Sequence, residues 1–240
     1  MRVFLAGASG VIGHRIIRLL QIDGHEVAGL TRSQDKAAWL AELGVEPVVC
    51  DVFDAQALTD AVVAFEPGAV IHELTDLPDD PRDIEAFRAR HARIRVEGTH
   101  NVLSAARAAG ARRVLTQSVA WPMPAGAGAD AVAELERATL AYGGVVLRYG
   151  QFYGPGTYYP DRLPTDPRIE IERAAEATVA ALYEDSGILL VTDDGTTRVD
   201  AAAAVHADGT ATTGTETSGA ETTGTETTGT ETTGTADKEH

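Results

Sequence analysis

Short apolar runs alternate with amphipathic segments along the chain up to residue 195. The runs that suit buried strands lie at residues 2–6, 26–30, 46–50, 69–72, 113–118, 144–148 and 187–191. Between them, apolar residues recur at helical spacing, among other places over residues 54–65, 83–109, 130–142 and 172–184. Strands that alternate with helices are typical of a parallel sheet covered on both faces. The pattern therefore predicts an α/β fold, a doubly wound parallel sheet of the Rossmann type.

The turn after the first strand reads Gly-Ala-Ser-Gly-Val-Ile-Gly. Gly7 permits a tight turn, Gly10 leaves no side chain where a pyrophosphate must come close, and Gly13 lets the helix pack tightly. A glycine turn that opens a helix presents N–H groups and the positive end of the helix dipole to a phosphate. With its flanking strand and helix, the turn predicts a dinucleotide site; the alternative is a tight turn that binds nothing. The predicted cofactor contacts in the turn are Gly7, Ser9, Gly10, Val11, Ile12 and Gly13.

The end of the second strand bears on the choice between NAD and NADP. Sites that prefer NAD usually carry a carboxylate there, which accepts hydrogen bonds from the adenosine ribose. This chain has Arg32 instead, and no Asp or Glu. A guanidinium can pair with a 2′-phosphate, so we expect NADP(H) to be preferred over NAD(H). The alternative is that Arg32 is a solvated residue at the start of the next helix.

Charge and composition narrow the class of protein. The net charge of −16 argues against a nucleic-acid partner. No apolar run is long enough to span a bilayer, and we expect no signal peptide before the first strand. Cys50 is the only cysteine, which excludes an intrachain disulfide, and the seven histidines lack metal-ligand spacing. We therefore expect a soluble cytoplasmic protein without a membrane, nucleic-acid or metal partner.

The composition changes near residue 200. A five-residue repeat that begins with Glu-Thr starts at Glu216 and returns three times. Such an acidic, Thr/Gly-rich sequence with almost no apolar residues cannot bury enough surface to offset the entropy of ordering. We expect residues 1–199 to form the dinucleotide-binding domain and residues 200–240 to form a disordered tail.

Four segments carry a family likeness: the glycine turn at residues 7–13, Asp51-Val52 after the third strand, residues 96–103 in the long helix and residues 147–156 after the sixth strand. Together they resemble the short-chain dehydrogenase/reductase superfamily, in the extended or atypical branch also described as NAD(P)-dependent epimerase/dehydratase. The resemblance covers residues 1–195 and implies that Asp51 and Val52 contact the adenine of the cofactor. It also implies oxidoreductase or epimerase-like chemistry on a small-molecule substrate that the sequence does not identify.

The resemblance further implies a catalytic tyrosine, a lysine four residues later that activates it, and a nearby Ser or Thr that orients the substrate oxygen. Ser118, at the end of the fifth strand, fits the serine position. When the family pattern is aligned on Glu136, Gly128 occupies the tyrosine position and Val132 the lysine position. Arg95 stands where relatives commonly carry an asparagine. No lysine in this chain lies four residues after a tyrosine, so the usual pair is absent.

Without that pair, either another residue donates the proton or the protein binds its cofactor without catalysis. The candidate donors near the expected cleft are Tyr153, Tyr149, His72 and Tyr158. Our predicted catalytic residues are Ser118 and Tyr153, although core packing or a strand-end hydrogen bond would also explain them. Two functions stay open: an atypical reductase or epimerase-like enzyme, and a non-catalytic dinucleotide-binding redox sensor or assembly factor.

The substrate side of the fold is short for this family. Only residues 157–167 separate the Gly-Pro-Gly segment from the next helix start, and the fold is expected to stop after Asp194. We therefore expect a reduced substrate-binding region and a shallow cleft. The resemblance also implies that two copies can associate as a homodimer through the helices at residues 83–109 and 130–142.

Overall fold

A large, mostly parallel sheet organises the protein, whose computed structural model describes residues 1–78 and 80–199. The strands of the described part are β1 (Arg2–Ala6), β2 (Glu26–Thr31), β3 (Glu46–Val49), β4 (Ala69–His72), β5 (Arg113–Val119), β6 (Val145–Tyr149), β7 (Gln151–Tyr153), β8 (Arg168–Glu170), β9 (Gly187–Thr192) and β10 (Gly195–Val199). Eight of them form the sheet in the order β10-β9-β6-β5-β4-β1-β2-β3, and β7 and β8 form a separate parallel pair. Within the large sheet, β10 runs antiparallel to β9.

Helices cover both faces of the large sheet. They are α1 (Gly13–Ile22), α2 (Gln34–Glu42), α3 (Ala55–Phe65), α4 (Ile84–Arg93), α5 (Thr99–Ala108), α6 (Ala127–Tyr142) and α7 (Ile171–Ala180). The core under α1, α2 and α7 contains Leu5, whereas the core under α3, α5 and α6 contains its neighbour Phe4. Successive residues of a strand point to opposite faces, so a strand buried on both sides is a continuous apolar run.

The chain reverses its direction across the sheet between β1 and β4. From β1 it proceeds through β2 to β3, and it then returns to β4 on the other side of β1. The carboxyl ends of parallel strands form a crevice at such a switch point, and ligands of open α/β sheets bind there. The glycine turn that joins β1 to α1 lies at this crevice.

The predicted doubly wound α/β fold is confirmed, and the seven predicted strands are present with ends that differ by about one residue. The expectation that the fold stops after Asp194 is wrong, because β10 follows and pairs with β9. The predicted helix over residues 83–109 is also divided. A 3-10 turn at Pro81–Asp83 precedes α4, and a π-helical segment at Ile94–Gly98 separates α4 from α5.

Two further expectations concern the tail and the membrane. The predicted tail, residues 200–240, lies outside the described residues. Among the helices that the structure describes, none is long and apolar enough to cross a bilayer.

Candidate functional site

The glycine turn begins directly at the carboxyl end of β1. Gly7 has a φ of +99°, and a Cβ at this position would lie 2.8 Å from the backbone carbonyl carbon of Glu73. The N–H of Gly10 donates to the carbonyl oxygen of Gly7 at 2.9 Å and closes the turn. Both the left-handed backbone and the adjacent chain after β4 therefore require glycine at position 7.

Gly13 and Gly10 have different surroundings. A Cβ on Gly13 would lie 2.2 Å from the carbonyl oxygen of Gly7, so the start of α1 packs directly on the turn. Gly10 is exposed. Among the described residues, a Cβ on Gly10 would have one neighbour within 4 Å, the carbonyl oxygen of Gly7 at 3.2 Å. Among the described residues, no side chain caps the amino end of α1. An open face beside uncapped N–H groups and the positive end of a helix dipole fits a phosphate group.

The remaining predicted contacts of the turn are close by. Ser9 and Val11 are half-buried in the turn, and Ile12 is buried at the start of α1. The structure therefore brings all six predicted residues of the glycine turn together at one edge of the sheet. Their contact with a cofactor stays a prediction.

Arg15 is a buried residue that the sequence analysis did not identify. Its guanidinium donates to the carbonyl oxygens of Val11 at 2.5 Å and Pro155 at 2.8 Å, and to Glu172 Oε1 at 2.7 Å. A Cβ on Gly156 would lie 3.3 Å from Val11 Cγ2, so that segment also packs on the turn. Arg15 thus ties the glycine turn to α7 and to the segment after β7. Its sole signal in the sequence is a charge next to the apolar positions of α1.

Arg32 follows β2 and is exposed, and its Nη2 lies 3.6 Å from Asp76 Oδ1. Asp76 is buried in the segment after β4, and it accepts two hydrogen bonds from Arg90, at 2.9 and 3.2 Å. Because β1 lies between β2 and β4, the Arg32–Asp76 ion pair spans the carboxyl end of β1. Two guanidinium groups therefore share one carboxylate at the sheet edge that carries the glycine turn.

Asp51 and Val52 follow β3 at the same edge of the sheet. Asp51 is exposed, and its Oδ1 accepts a hydrogen bond from the backbone N–H of Phe53 at 3.0 Å. Val52 is buried, and its carbonyl oxygen accepts a hydrogen bond from Asn101 Nδ2 at 2.9 Å. Their predicted contact with adenine stays a prediction, and their place in the fold is compatible with it.

Ser118 is buried near the end of β5. Its hydroxyl donates to Glu136 Oε1 at 2.5 Å, and the guanidinium of Arg148 donates to both oxygens of the same carboxylate, at 2.8 and 2.6 Å. The hydroxyl hydrogen of Ser118 is thus used within the protein, while its oxygen can still accept a hydrogen bond. A contact between Ser118 and a substrate stays a prediction.

Tyr153 lies on β7, away from this group. Its hydroxyl donates to Asp193, in the turn between β9 and β10, with both carboxylate oxygens at 3.2 Å. Burial and then the charge of Asp193 raise the pKa of Tyr153, which favours the neutral phenol. Ser118 and Tyr153 therefore belong to separate hydrogen-bonded groups.

Two other candidate proton donors also have polar partners within the protein. His72 Nε2 lies 3.0 Å from Thr99 Oγ1, and burial lowers the pKa of His72 to about 4. This histidine is therefore neutral at pH 7. The hydroxyl of Tyr158 donates to the carbonyl oxygen of Pro78. Both arrangements are typical of structural hydrogen bonds.

Glu73 is a buried carboxyl group next to Gly7 that the sequence analysis did not identify. The hydroxyl of Tyr149, another candidate donor, donates to Glu73 Oε1 at 3.1 Å and lies 2.6 Å from Thr178 Oγ1. Glu73 Oε2 has no hydrogen-bond partner among the described residues. Burial raises the pKa of Glu73 to about 8, although the Tyr149 hydrogen bond acts to lower it. At pH 7 the carboxyl is therefore mostly protonated and adds little negative charge beside the glycine turn.

The positions that the resemblance assigns to tyrosine and lysine, Gly128 and Val132, both lie in the first half of α6. A Cβ on Gly128 would lie 3.2 Å from Met123 Cε, so the methionine lies directly against this position. Within the described chain the only lysine is Lys36, which is exposed on α2. The core under α2 is on the opposite face of the sheet from the core under α6. Lys36 is therefore not placed to activate a residue on α6.

Comparisons with known proteins agree with the fold. A model of the NAD dependent epimerase/dehydratase family matches residues 3–128. The chain is 39% identical to the 3-diazoavenalumate denitrifying reductase of a Streptomyces species, over 81% of this chain and 76% of that protein. It is 31% identical to the photosystem II assembly factor Ycf39 of Guillardia theta, over 50% of this chain and 35% of that protein. The UDP-glucose 4-epimerase of Thermus thermophilus, solved in complex with NAD, is similar in fold, with a TM-score of 0.66 at 22% identity over 82% of this chain and 79% of that one.

Proposed function

Because the chain belongs to the NAD dependent epimerase/dehydratase family, we propose that it is an NADP(H)-dependent reductase whose substrate takes no proton from the protein. The observation that carries the proposal is a combination of two features. The glycine turn is intact, with an open face at Gly10, while Gly128 and Val132 occupy the α6 positions that the resemblance assigns to the tyrosine and the lysine. These two features support a protein that binds the cofactor and lacks the usual proton donor.

The residues that would hold the cofactor lie along one edge of the sheet. The open face of Gly10 and the uncapped start of α1 suit the diphosphate, and Arg32 suits a 2′-phosphate. Asp51, after β3, suits the adenosine end. When bound, the cofactor supplies a hydride. Because the carboxyl of Glu73 is mostly neutral at pH 7, it would not repel the negatively charged diphosphate.

The absent pair favours a reaction without proton transfer. Reduction of a carbonyl adds a hydride to carbon and a proton to oxygen, so it needs a positioned acid. The hydroxyl of Ser118 donates to Glu136, and that of Tyr153 donates to Asp193. A substrate whose electrophilic group is itself cationic becomes neutral on receiving the hydride and needs no proton.

A diazonium group is such a substrate, and the 39% identical relative is named as a reductase that denitrifies a diazo compound. When a diazonium carbon receives a hydride, a C–H bond forms, the C–N bond breaks, and its electron pair leaves with N2. Atoms and charge balance with one hydride and no proton. We therefore propose an arenediazonium compound as the substrate class.

With NADPH, the protein is expected to reduce 4-carboxybenzenediazonium with a kcat/KM at least about 100-fold above that for 4-carboxybenzaldehyde, because a positioned acid contributes about 10²–10⁴-fold. The two compounds share the ring and the carboxylate, and only the aldehyde needs a proton. NADPH consumption and benzoate formation measure the reaction. With 4-deuterated NADPH in ordinary water, deuterium is expected on the ring carbon, and with ordinary NADPH in D2O none is expected there.

The variant Gly10→Asp provides the background rate of NADPH with the diazonium ion in solution. Reduction of the aldehyde at an equal rate would contradict a proton-free mechanism. Tight NADPH binding without reduction of either compound would overturn the enzyme proposal. It would favour the second candidate, a non-catalytic dinucleotide-binding redox sensor or assembly factor, which the partial match to an assembly factor supports.

Arg32→Ala is expected to weaken NADPH binding about 10-fold and to leave NADH binding nearly unchanged, because a charge-assisted hydrogen bond to the 2′-phosphate is lost. Fluorescence titration of both coenzymes measures this. Arg88→Ala is the matched control, since Arg88 is an exposed arginine of α4 paired with Glu85. Tighter binding of NADH than of NADPH by the unaltered protein would reject the proposed preference.

A further inference from the structure

Arg95 differs from the other buried and half-buried arginines of the described residues. It is half-buried in the π-helical segment Ile94–Gly98. Its guanidinium contacts the sulfur of Met123 at 3.8 Å, and no oxygen of the described chain accepts a hydrogen bond from it. The other buried or half-buried arginines of the described part each lie within 4.0 Å of a carboxylate or donate to a carbonyl oxygen; they are Arg2, Arg15, Arg113, Arg148 and Arg168.

Among the described residues, no oxygen accepts a hydrogen bond from the charged guanidinium of Arg95. Burial lowers the pKa of Arg95 to about 10, so the guanidinium is still charged at pH 7. Glu136 attracts it at longer range, but the Glu136 oxygens already accept hydrogen bonds from Arg148 and Ser118. A partly desolvated cation without an acceptor is costly. Arg95 is therefore suited to an anion from outside the described chain.

His91 supports the same interpretation independently. It lies four residues before Arg95, one helical turn away on the same side. Its Nε2 is buried and has no hydrogen-bond partner in the part of the chain that the structure describes. Burial, and then the charge of Arg95, lower the pKa of His91 to about 4, so this ring is neutral at pH 7. The charge of Asp76 acts to raise the pKa of His91, but the Asp76 carboxylate is paired with Arg90 and Arg32.

Arg95 also lies near the carboxyl ends of the parallel strands, the edge of the sheet that carries the glycine turn. Met123, its sulfur contact, belongs to the loop between β5 and α6, which starts at the carboxyl end of β5. The same methionine lies against Gly128, at the position without a tyrosine. π-helical turns often occur at functional sites. We propose that Arg95, with His91 beside it, binds a carboxylate of the substrate.

The identification of the ligand as the substrate rests on the proposed function, whereas carboxylate binding can be tested without turnover. Benzoate and benzamide have nearly the same size and differ in charge. In calorimetric titrations with saturating NADP+, the unaltered protein is expected to bind benzoate at least about 10-fold more tightly than benzamide, as for a charge-assisted hydrogen bond. Arg95→Met is expected to abolish that preference, and Arg95→Lys to retain part of it, because lysine keeps the charge without the planar fork.

Arg107→Met is the matched control, because Arg107 is an exposed arginine of α5 and its loss changes the net charge equally. This control is expected to keep the benzoate preference, and all variants are expected to keep their NADP+ affinity. Three results would overturn the proposal: no benzoate preference in the unaltered protein, a preference that survives in Arg95→Met, or a parallel loss of NADP+ affinity. If Arg95→Met does not fold, a benzoate preference undiminished in Arg95→Lys overturns it. A protein that binds benzoate through Arg95 but does not reduce the diazonium ion refutes the reductase proposal and leaves this one standing.

Discussion

Gly10→Asp is expected to weaken NADP(H) binding at least about 100-fold while the protein stays folded. The face of Gly10 is open apart from the carbonyl oxygen of Gly7, so an aspartate fits there in the absence of a ligand. Its side chain then occupies the space of the phosphates and repels them. Two unit charges about 4 Å apart interact with about 4 kcal/mol at an effective dielectric constant of about 20, and about 1.4 kcal/mol corresponds to tenfold in affinity. Charge repulsion alone therefore accounts for the expected loss.

Gly68→Asp is the matched control for this substitution. Gly68 directly precedes β4, at the opposite edge of the sheet, and a Cβ there would have no neighbour among the described residues closer than 3.8 Å. Calorimetry with NADPH and thermal unfolding with and without NADPH measure both variants. Gly68→Asp is expected to bind like the unaltered protein. If Gly10→Asp binds NADPH within about threefold of the unaltered protein, the diphosphate does not lie on the glycine turn.

Glu73→Gln is expected to leave stability nearly unchanged near pH 5 and to make the protein more stable than the unaltered form above pH 8. The ordinary carboxyl pKa of 4.5 rises to about 8 in the folded state because the group is buried. The folded pKa is raised, so the stabilisation is complete below pH 4.5 and is lost as the pH rises to about 8. At about 1.36 kcal/mol per pKa unit, this loss is on the order of 5 kcal/mol. Glutamine resembles the protonated carboxyl and does not titrate, so the variant avoids the loss.

Denaturant unfolding at pH 5, 7 and 9 measures the free energy of unfolding of both proteins. Glu176→Gln, on an exposed position of α7, is the control and is expected to follow the unaltered protein at each pH. If Glu73→Gln loses stability in parallel with the unaltered protein between pH 5 and 9, Glu73 is ionised in the folded state. The conclusion that the site beside Gly7 is uncharged would then be wrong.

Most of the large sheet could be predicted from the spacing of apolar residues. Each strand that is buried on both faces is a continuous apolar run, as Phe4 and Leu5 illustrate by packing into opposite cores. The strands β7, β8 and β10 were not predicted. In β10, Thr196 and Thr197 are exposed, and the strand exists because its backbone pairs with β9. Backbone pairing at the edge of a sheet leaves little signal in side-chain polarity.

In the candidate site, too, some features depend on residues close together in sequence and others depend on distant residues. The glycine turn is local, because Gly7, Gly10 and Gly13 act through backbone conformation and close neighbours within a short stretch of chain. Arg15 acts through Pro155, which is 140 residues away in sequence, and Glu73 acts through Tyr149, 76 residues away. Neither partnership follows from local spacing.

The order of residues along the chain was sufficient to predict the parallel sheet and the glycine turn. Helices and strands repeat at fixed periods, so the spacing of apolar residues reports which face of each element is buried. Folding alone established that Arg15 has three oxygen acceptors and that Arg95 has none among the described residues. Both are arginines in helical segments, and the free energy of burying their charge depends on groups that distant elements bring within about 3 Å.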